Sequence, residues 1–273
     1  MKYLIRSASF LFLLVVFGHA WSEEIKPESF EKLMALSGLQ KQVAEFPGMV
    51  RAGFEQARER GTPMGKGDYE EVITSIDAAF RPSRILKSIG SQARRSLSES
   101  EARDLLIWYE SDLGKRITRA EEMASTPAAY QEMIRDARSL LADHERVQIA
   151  QELDRLLNAT NMAMRLQKDA GIAVFIAVSR IVNPGQPVQL DAFRAQMLAQ
   201  EEELRRNVEL LVIVSFVYSY RDIKIENLEK YVAFNKRPNT KRFNESVIRG
   251  MQYALSQSID RMADSLAVTI QHP

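Results

Sequence analysis

The sequence predicts an all-α fold, a multi-helix protein built from a tandem duplication of a helical unit. Three observations carry that expectation. Helix-start signals recur along the chain, apolar residues repeat with helical spacing behind them, and the two halves resemble each other at a nearly constant offset.

The first residues read as a secretory signal peptide. Lys2 and Arg6 precede an apolar run over residues 8–17, and Gly18-His19-Ala20 offers small residues at the −3 and −1 positions of a cleavage after Ala20. The run is shorter than the roughly 20 residues that span a bilayer. No cysteine follows it to carry a lipid. The expected destination is the periplasm, with secretion as the alternative, and the expected mature chain starts at Trp21. Losing Lys2 and Arg6 turns the net charge from +1 to −1. A nucleic-acid binder shows a basic excess or stripe, so no nucleic-acid partner is expected. The absence of cysteine excludes disulfides, thiolate metal sites and thiol nucleophiles.

Along the chain, Phe46-Pro47-Gly48 marks a kink or helix boundary, and residues 61–67, with three glycines and a proline, form a loop. Ser98 and Glu101 make a capping box. Behind it Ala102, Leu105, Leu106 and Tyr109 share one helical face. Ser111-Asp112 opens the next helix, with a hydroxyl cap and a carboxylate at the positive end of the dipole. Thr126-Pro127 opens another, with proline at the first helical position. Residues 127–158 contain no glycine and no further proline, which predicts one long connecting helix. Residues 183–187 (Asn-Pro-Gly-Gln-Pro) break the chain, and Asp191 can cap the next helix.

Two stretches, residues 172–182 and 208–218, are strongly apolar but too short to cross a membrane as helices, so no transmembrane helix is expected in the mature chain. Their β-branched content fits buried strands by pattern alone. Their flanks, residues 161–169 and 193–207, read as helix without an intervening breaker. Both are therefore expected to be buried helices at the centre of the core.

The duplication rests on particular matches. At an offset of 123, residues 31–34 align with 154–157, Leu39 with Met162, Val43 with Leu166, and Gly48 with Gly171. At an offset of 126, Leu105 aligns with Tyr231, Leu106 with Val232, Trp108 with Phe234, Lys115 with Lys241, Arg116 with Arg242, and Ile117 with Phe243. Asp112 then meets Pro238, and both residue types suit a first helical turn. The expected organisation is residues 1–20 as signal peptide, 21–145 as the first repeat and 146–273 as the second, with fusion of the two into one domain as the alternative.

Chemistry-bearing patterns are sparse. Of three histidines, His19 leaves with the signal peptide and His272 is next to last, so a Ser–His–Asp arrangement would depend on His144 alone. His144 has charged neighbours and is expected on a solvated helix face. Three or four metal ligands are not gathered by any motif, and neither metal nor cofactor is expected. Gly65-Lys66 lacks the spacing, the following Ser or Thr and the preceding strand of a phosphate loop. The runs Glu121-Glu122 and Glu201-Glu202-Glu203 are expected on solvated helix faces.

The stretch that stands out is Leu106-Ile107-Trp108-Tyr109-Glu110-Ser111-Asp112-Leu113-Gly114-Lys115-Arg116-Ile117. It resembles the signature of the bacterial family called domain of unknown function 2059: an aromatic pair, a serine, an apolar residue, a glycine and a basic pair. Residues 234–243 are a degenerate second match, with Arg237 in place of the serine and Thr240 in place of the glycine. The resemblance implies export and an all-helical fold, and no activity. Read from the residues, the motif is a helix–turn–helix corner in which Gly114 allows close approach and Lys115 and Arg116 lie outward. Alternatively, Trp108, Tyr109, Ser111, Gly114, Lys115 and Arg116 form a ligand or partner site.

The expected function is therefore a non-enzymatic protein of the cell envelope with a binding or scaffolding role. A cavity lined by the apolar helices would point instead to a carrier or chaperone for an apolar ligand. Two carboxylates facing each other across a cleft would point to a cell-wall hydrolase. The envelope partner and the oligomeric state are not named by the sequence.

Overall fold

A computed structural model describes residues 23–61, 65–183 and 185–269. The expected signal peptide, its cleavage site and His272 lie outside these residues. The described chain is all-α. Helices α1 (Pro27–Leu36), α2 (Leu39–Glu59), α3 (Lys66–Ala79), α4 (Pro82–Ser96), α5 (Glu99–Glu110) and α6 (Asp112–Ala124) form the first half. Helix α7 (Pro127–Leu140) leads to α8 (His144–Leu157), α9 (Ala159–Val182), α10 (Leu190–Ala199), α11 (Glu201–Ser219), α12 (Ile225–Asn235) and α13 (Pro238–Thr269).

The starts obey the capping chemistry. The Ser98 hydroxyl accepts from the Glu101 amide while the Glu101 carboxylate accepts from the Ser98 amide, which completes the capping box. Ser111 caps α6 by accepting from the Gly114 amide, and Thr126 caps α7 by accepting from the Ala129 amide. One bridge between extended residues, Glu24 with Ser98, ties the chain before α1 to the start of α5.

Four expectations need correction. The single helix over residues 127–158 is two helices, α7 and α8. The Asp143 carboxylate accepts from the Arg146 amide and starts α8 afresh, without the glycine or proline that usually announces a break. The Arg146 guanidinium then donates to the carbonyls of Tyr220 and Ile223, at 2.6 and 2.8 Å, which fixes α8 against the turn after α11. Of the two alternatives at Pro47, kink or helix boundary, the boundary is overturned, because α2 runs through it. Asp191 does not cap α10. The cap position is Gln189, and Asp191 pairs with Arg194 within the first turn.

The fourth correction concerns the core. Residues 172–182 and 208–218 are helical, in α9 and α11, yet α11 is not central. Its Val214 and Tyr218 pack with Ala129 and Met133 of α7, and its Ile213 and Val217 pack with Ala150 of α8. The principal core runs through α1 to α6, α12 and α13, with Ala173, Ile176 and Ala177 of α9. Its axis is the α4–α13 crossing. There a Cβ on Gly250 would stand 2.4 Å from the Ile89 Cα, and the Ser88 hydroxyl donates to the Gly250 carbonyl at 2.8 Å. Only a residue without a side chain lets these two backbones approach so closely.

Helix partners recur between the halves. α1 packs on α5, and α8 packs on α12. α2 packs on α4, and α9 packs on α11. α2 and α9 also pack on each other.

Candidate ligand-binding cavity

The aromatic–basic motif is a packed corner. Trp108, half-buried at the end of α5, stacks on Phe234 of α12 with centroids 4.4 Å apart and planes 8° from parallel. It also stacks on Tyr231 at 6.0 Å. Tyr109 meets Phe234 edge-on at 5.7 Å. Gly114 is required by the turn itself, since a Cβ there would lie 2.1 Å from the Trp108 carbonyl oxygen. Lys115 and Arg116 are exposed on α6, and no cation–π contact joins Arg116 to either ring among the described residues. The motif's rings thus point into the protein and its basic pair into solvent. His144 is exposed at the first position of α8, as a solvated residue would be.

Behind this corner lies a cavity of about 550 Å³, within the span of roughly 300–1,000 Å³ usual for small-molecule sites. Each wall is one face of a helix. α6 presents Ile117, Thr118, Glu121, Ala124 and Ser125. α9 presents Ala159, Met162, Ala163 and Leu166, and α11 presents Val212, Ser215, Phe216 and Ser219. The last two sets recur at i, i+3, i+4 and i+7, the spacing of one helical stripe. Phe243, Val247 and Ile248 of α13 and Met133 of α7 complete the apolar wall. Gln42, Ser125 and Tyr130 are lining residues that are also exposed, and they form the rim.

The polar end is built around Glu121. Its Oε1 accepts from the Tyr220 hydroxyl at 2.5 Å and from the Tyr231 hydroxyl at 3.1 Å. Burial raises the Glu121 pKa above the ordinary value, the two phenol bonds oppose that rise, and the neighbouring Glu122 adds to it. Burial and the Glu121 charge also push the hydroxyls of Tyr109, Tyr220 and Tyr231 upward, so these phenols stay protonated donors. Ser37 is buried to 9% exposure at the end of α1, lines the same cavity, and its hydroxyl has no hydrogen-bond partner. Thr118 is anchored by donating to the Leu36 carbonyl at 3.1 Å. The acidic pair thus splits. Glu122 faces outward to Lys41 at 2.6 Å, whereas Glu121 turns inward and corrects the expectation of a solvated run. Glu201 pairs with Lys168 near the surface, and Glu202 and Glu203 are exposed, as expected of that run.

Sequence reading missed Glu121. Its partners Tyr220 and Tyr231 lie 99 and 110 residues away, and adjacency to Glu122 disguised it as surface charge. Helical spacing from Thr118 and Ile117 was the one available signal, because it places Glu121 on the face that carries the buried Ile117. Among the described residues no group of three or more His, Cys, Asp or Glu could hold a metal ion, and no helix is long and apolar enough to cross a membrane. No family model, no curated protein and no solved structure matches the chain.

Proposed function

We propose that this is a non-enzymatic binding protein of the cell envelope that holds an apolar small molecule in the cavity between its two halves. The observation that carries the reading is the cavity itself. It has an apolar wall from α9, α11 and α13, and its polar lining includes the hydrogen-bonded Glu121 and Tyr231, with Tyr109 and Ser37. Ligand sites commonly combine an apolar lining with a few convergent polar groups. Of the two apolar stretches, residues 208–218 supply Val212, Ser215 and Phe216 to the wall and residues 172–182 supply none, so the carrier reading rests on the cavity's lining as a whole. A carboxylate-based hydrolase would need a second carboxyl roughly 5–9.5 Å across the cleft, and Glu121 is the one carboxylate among the lining residues. Export rests on the charged, apolar and small-residue order of residues 1–20, and terminal sequencing should find Trp21 first. The resemblance of residues 106–117 to the exported family fits the same compartment.

The same reading includes a tandem duplication. The recurring helix partners support it, as do the parallel helix starts at Asp112 and Pro238. Trp108 and Phe234, equated by the sequence offset, stack face to face, as equivalent residues beside a two-fold axis would.

Titration with an apolar fluorophore such as 1-aminoanthracene tests the binding function. Saturable binding of one molecule per chain is expected, and Ala163→Trp, which puts an indole into the cavity, should weaken it. Binding undiminished by Ala163→Trp would place the site elsewhere.

A further inference from the structure

We infer that the ligand is an amphiphilic amine, whose protonated nitrogen sits at Glu121 and whose apolar chain lies along α9 and α11. The inference rests on the binding function proposed above and assigns the head group.

The lining residues include no lysine, arginine or histidine, and Glu121 is their one carboxylate. An anionic head would meet a carboxylate of like charge in a poorly solvated place, with nothing to offset it. A cationic head meets the reverse. Glu121 Oε1 is held by two phenol donors, Tyr220 and Tyr231, which position the carboxylate and stabilise its charged form. Lys41, the nearby cation on α2, is engaged by Glu122 and does not neutralise it. An ammonium group has several N–H donors to place. The Ser37 hydroxyl, buried without a partner in a residue that lines the same cavity, is a further acceptor for such a group. Glu121 is half-buried, and a carboxylate partly withdrawn from water gains from a hydrogen-bonded cation beside it.

Isothermal titration of the protein with decylamine, decanol and decanoate at neutral pH separates the outcomes. Decylamine should bind about tenfold or more tighter than either of the others, the margin of a charge-assisted hydrogen bond. In Glu121→Gln, decylamine and decanol should bind alike, with the fold verified by an unchanged circular dichroism spectrum. If decanol or decanoate binds as well as decylamine, the amine assignment fails while the binding function stands. An amine preference that persists in Glu121→Gln removes Glu121 from the head-group site. If none of the three binds, the proposed function fails together with this inference.

Discussion

Glu121 and Glu99 show how one residue type takes opposite roles through its surroundings. Glu99 is buried, and its carboxylate accepts from the Lys26 amide, the Ser29 hydroxyl and the Arg103 guanidinium at 2.9 to 3.0 Å. It caps α1 from the start of α5, and the Lys26 amide above all holds its pKa below the ordinary 4.5. A lowered carboxyl pKa contributes stability above the unfolded value, and that stability is lost as pH falls through the folded value. Glu99→Ala should cost on the order of 2–3 kcal/mol at neutral pH, because it leaves buried donors unpaired. The loss should shrink in acid, as denaturant titrations at pH 7 and pH 3 would show. Glu121 runs the other way. Its raised pKa means that the folded state keeps a proton the unfolded state releases, so stability declines as pH rises from about 4.5 toward the raised value. The groups facing Glu121 are the neutral phenols of Tyr109, Tyr220 and Tyr231 and, on its own helix, Glu122 paired with Lys41. Glu121→Gln should flatten this decline, read from denaturation midpoints across the range. A decline as steep as in the parent would mean another group carries it.

At the scale of elements, local chemistry made some helix starts legible. Ser98, Ser111 and Thr126 announced their helices because capping depends on residues within one turn. The α7–α8 break was not legible, since Asp143 lies in a stretch of good helix formers and its role is secured by Arg146 reaching across to Tyr220 and Ile223. The register of the proposed repeat is also finer than the sequence matches. Phe30 and Leu33 on α1 share buried positions with Ala150 and Leu153 on α8, and left-handed Gly38 corresponds to left-handed Asn158, all 120 residues later. Val50 and Phe54 correspond to Ala173 and Ala177, 123 residues later. In the proposed repeat, burial would align the first helix pair three residues away from the matches that first suggested it. The corner itself yields a stability test. Phe234→Ala should cost about 3–5 kcal/mol as a fully buried truncation, and half-buried Trp108→Ala somewhat less. Lys115→Ala and Arg116→Ala should stay within about 0.5 kcal/mol. Thermal melts of the four variants check the order. Gly250→Val should destabilise by about 3 kcal/mol or more, because the neighbouring atoms are the Ile89 backbone, which cannot rotate aside.

Over the whole molecule, the all-α class was readable because helical periodicity and capping are local. The cavity was not, because it is enclosed by faces of several helices whose mutual placement no local pattern encodes. Sequence periodicity shows that Met162 and Leu166 share a stripe, but not that Val212, Phe216 and Phe243 line the same space. The two halves meet at the Trp108–Phe234 stack and along α2 and α9, and the cavity opens between them. Its occupancy is the central claim, and methyl NMR tests it most directly. With methionine, leucine and valine methyls labelled, titration with decylamine should shift Met133, Met162, Leu166 and Val212, which line the cavity, and leave Val72 and Val50, buried in the principal core away from it, unmoved. Shifts confined to exposed methyls such as Met49, Met123 and Leu210, with the cavity methyls unmoved at saturating ligand, would contradict the account.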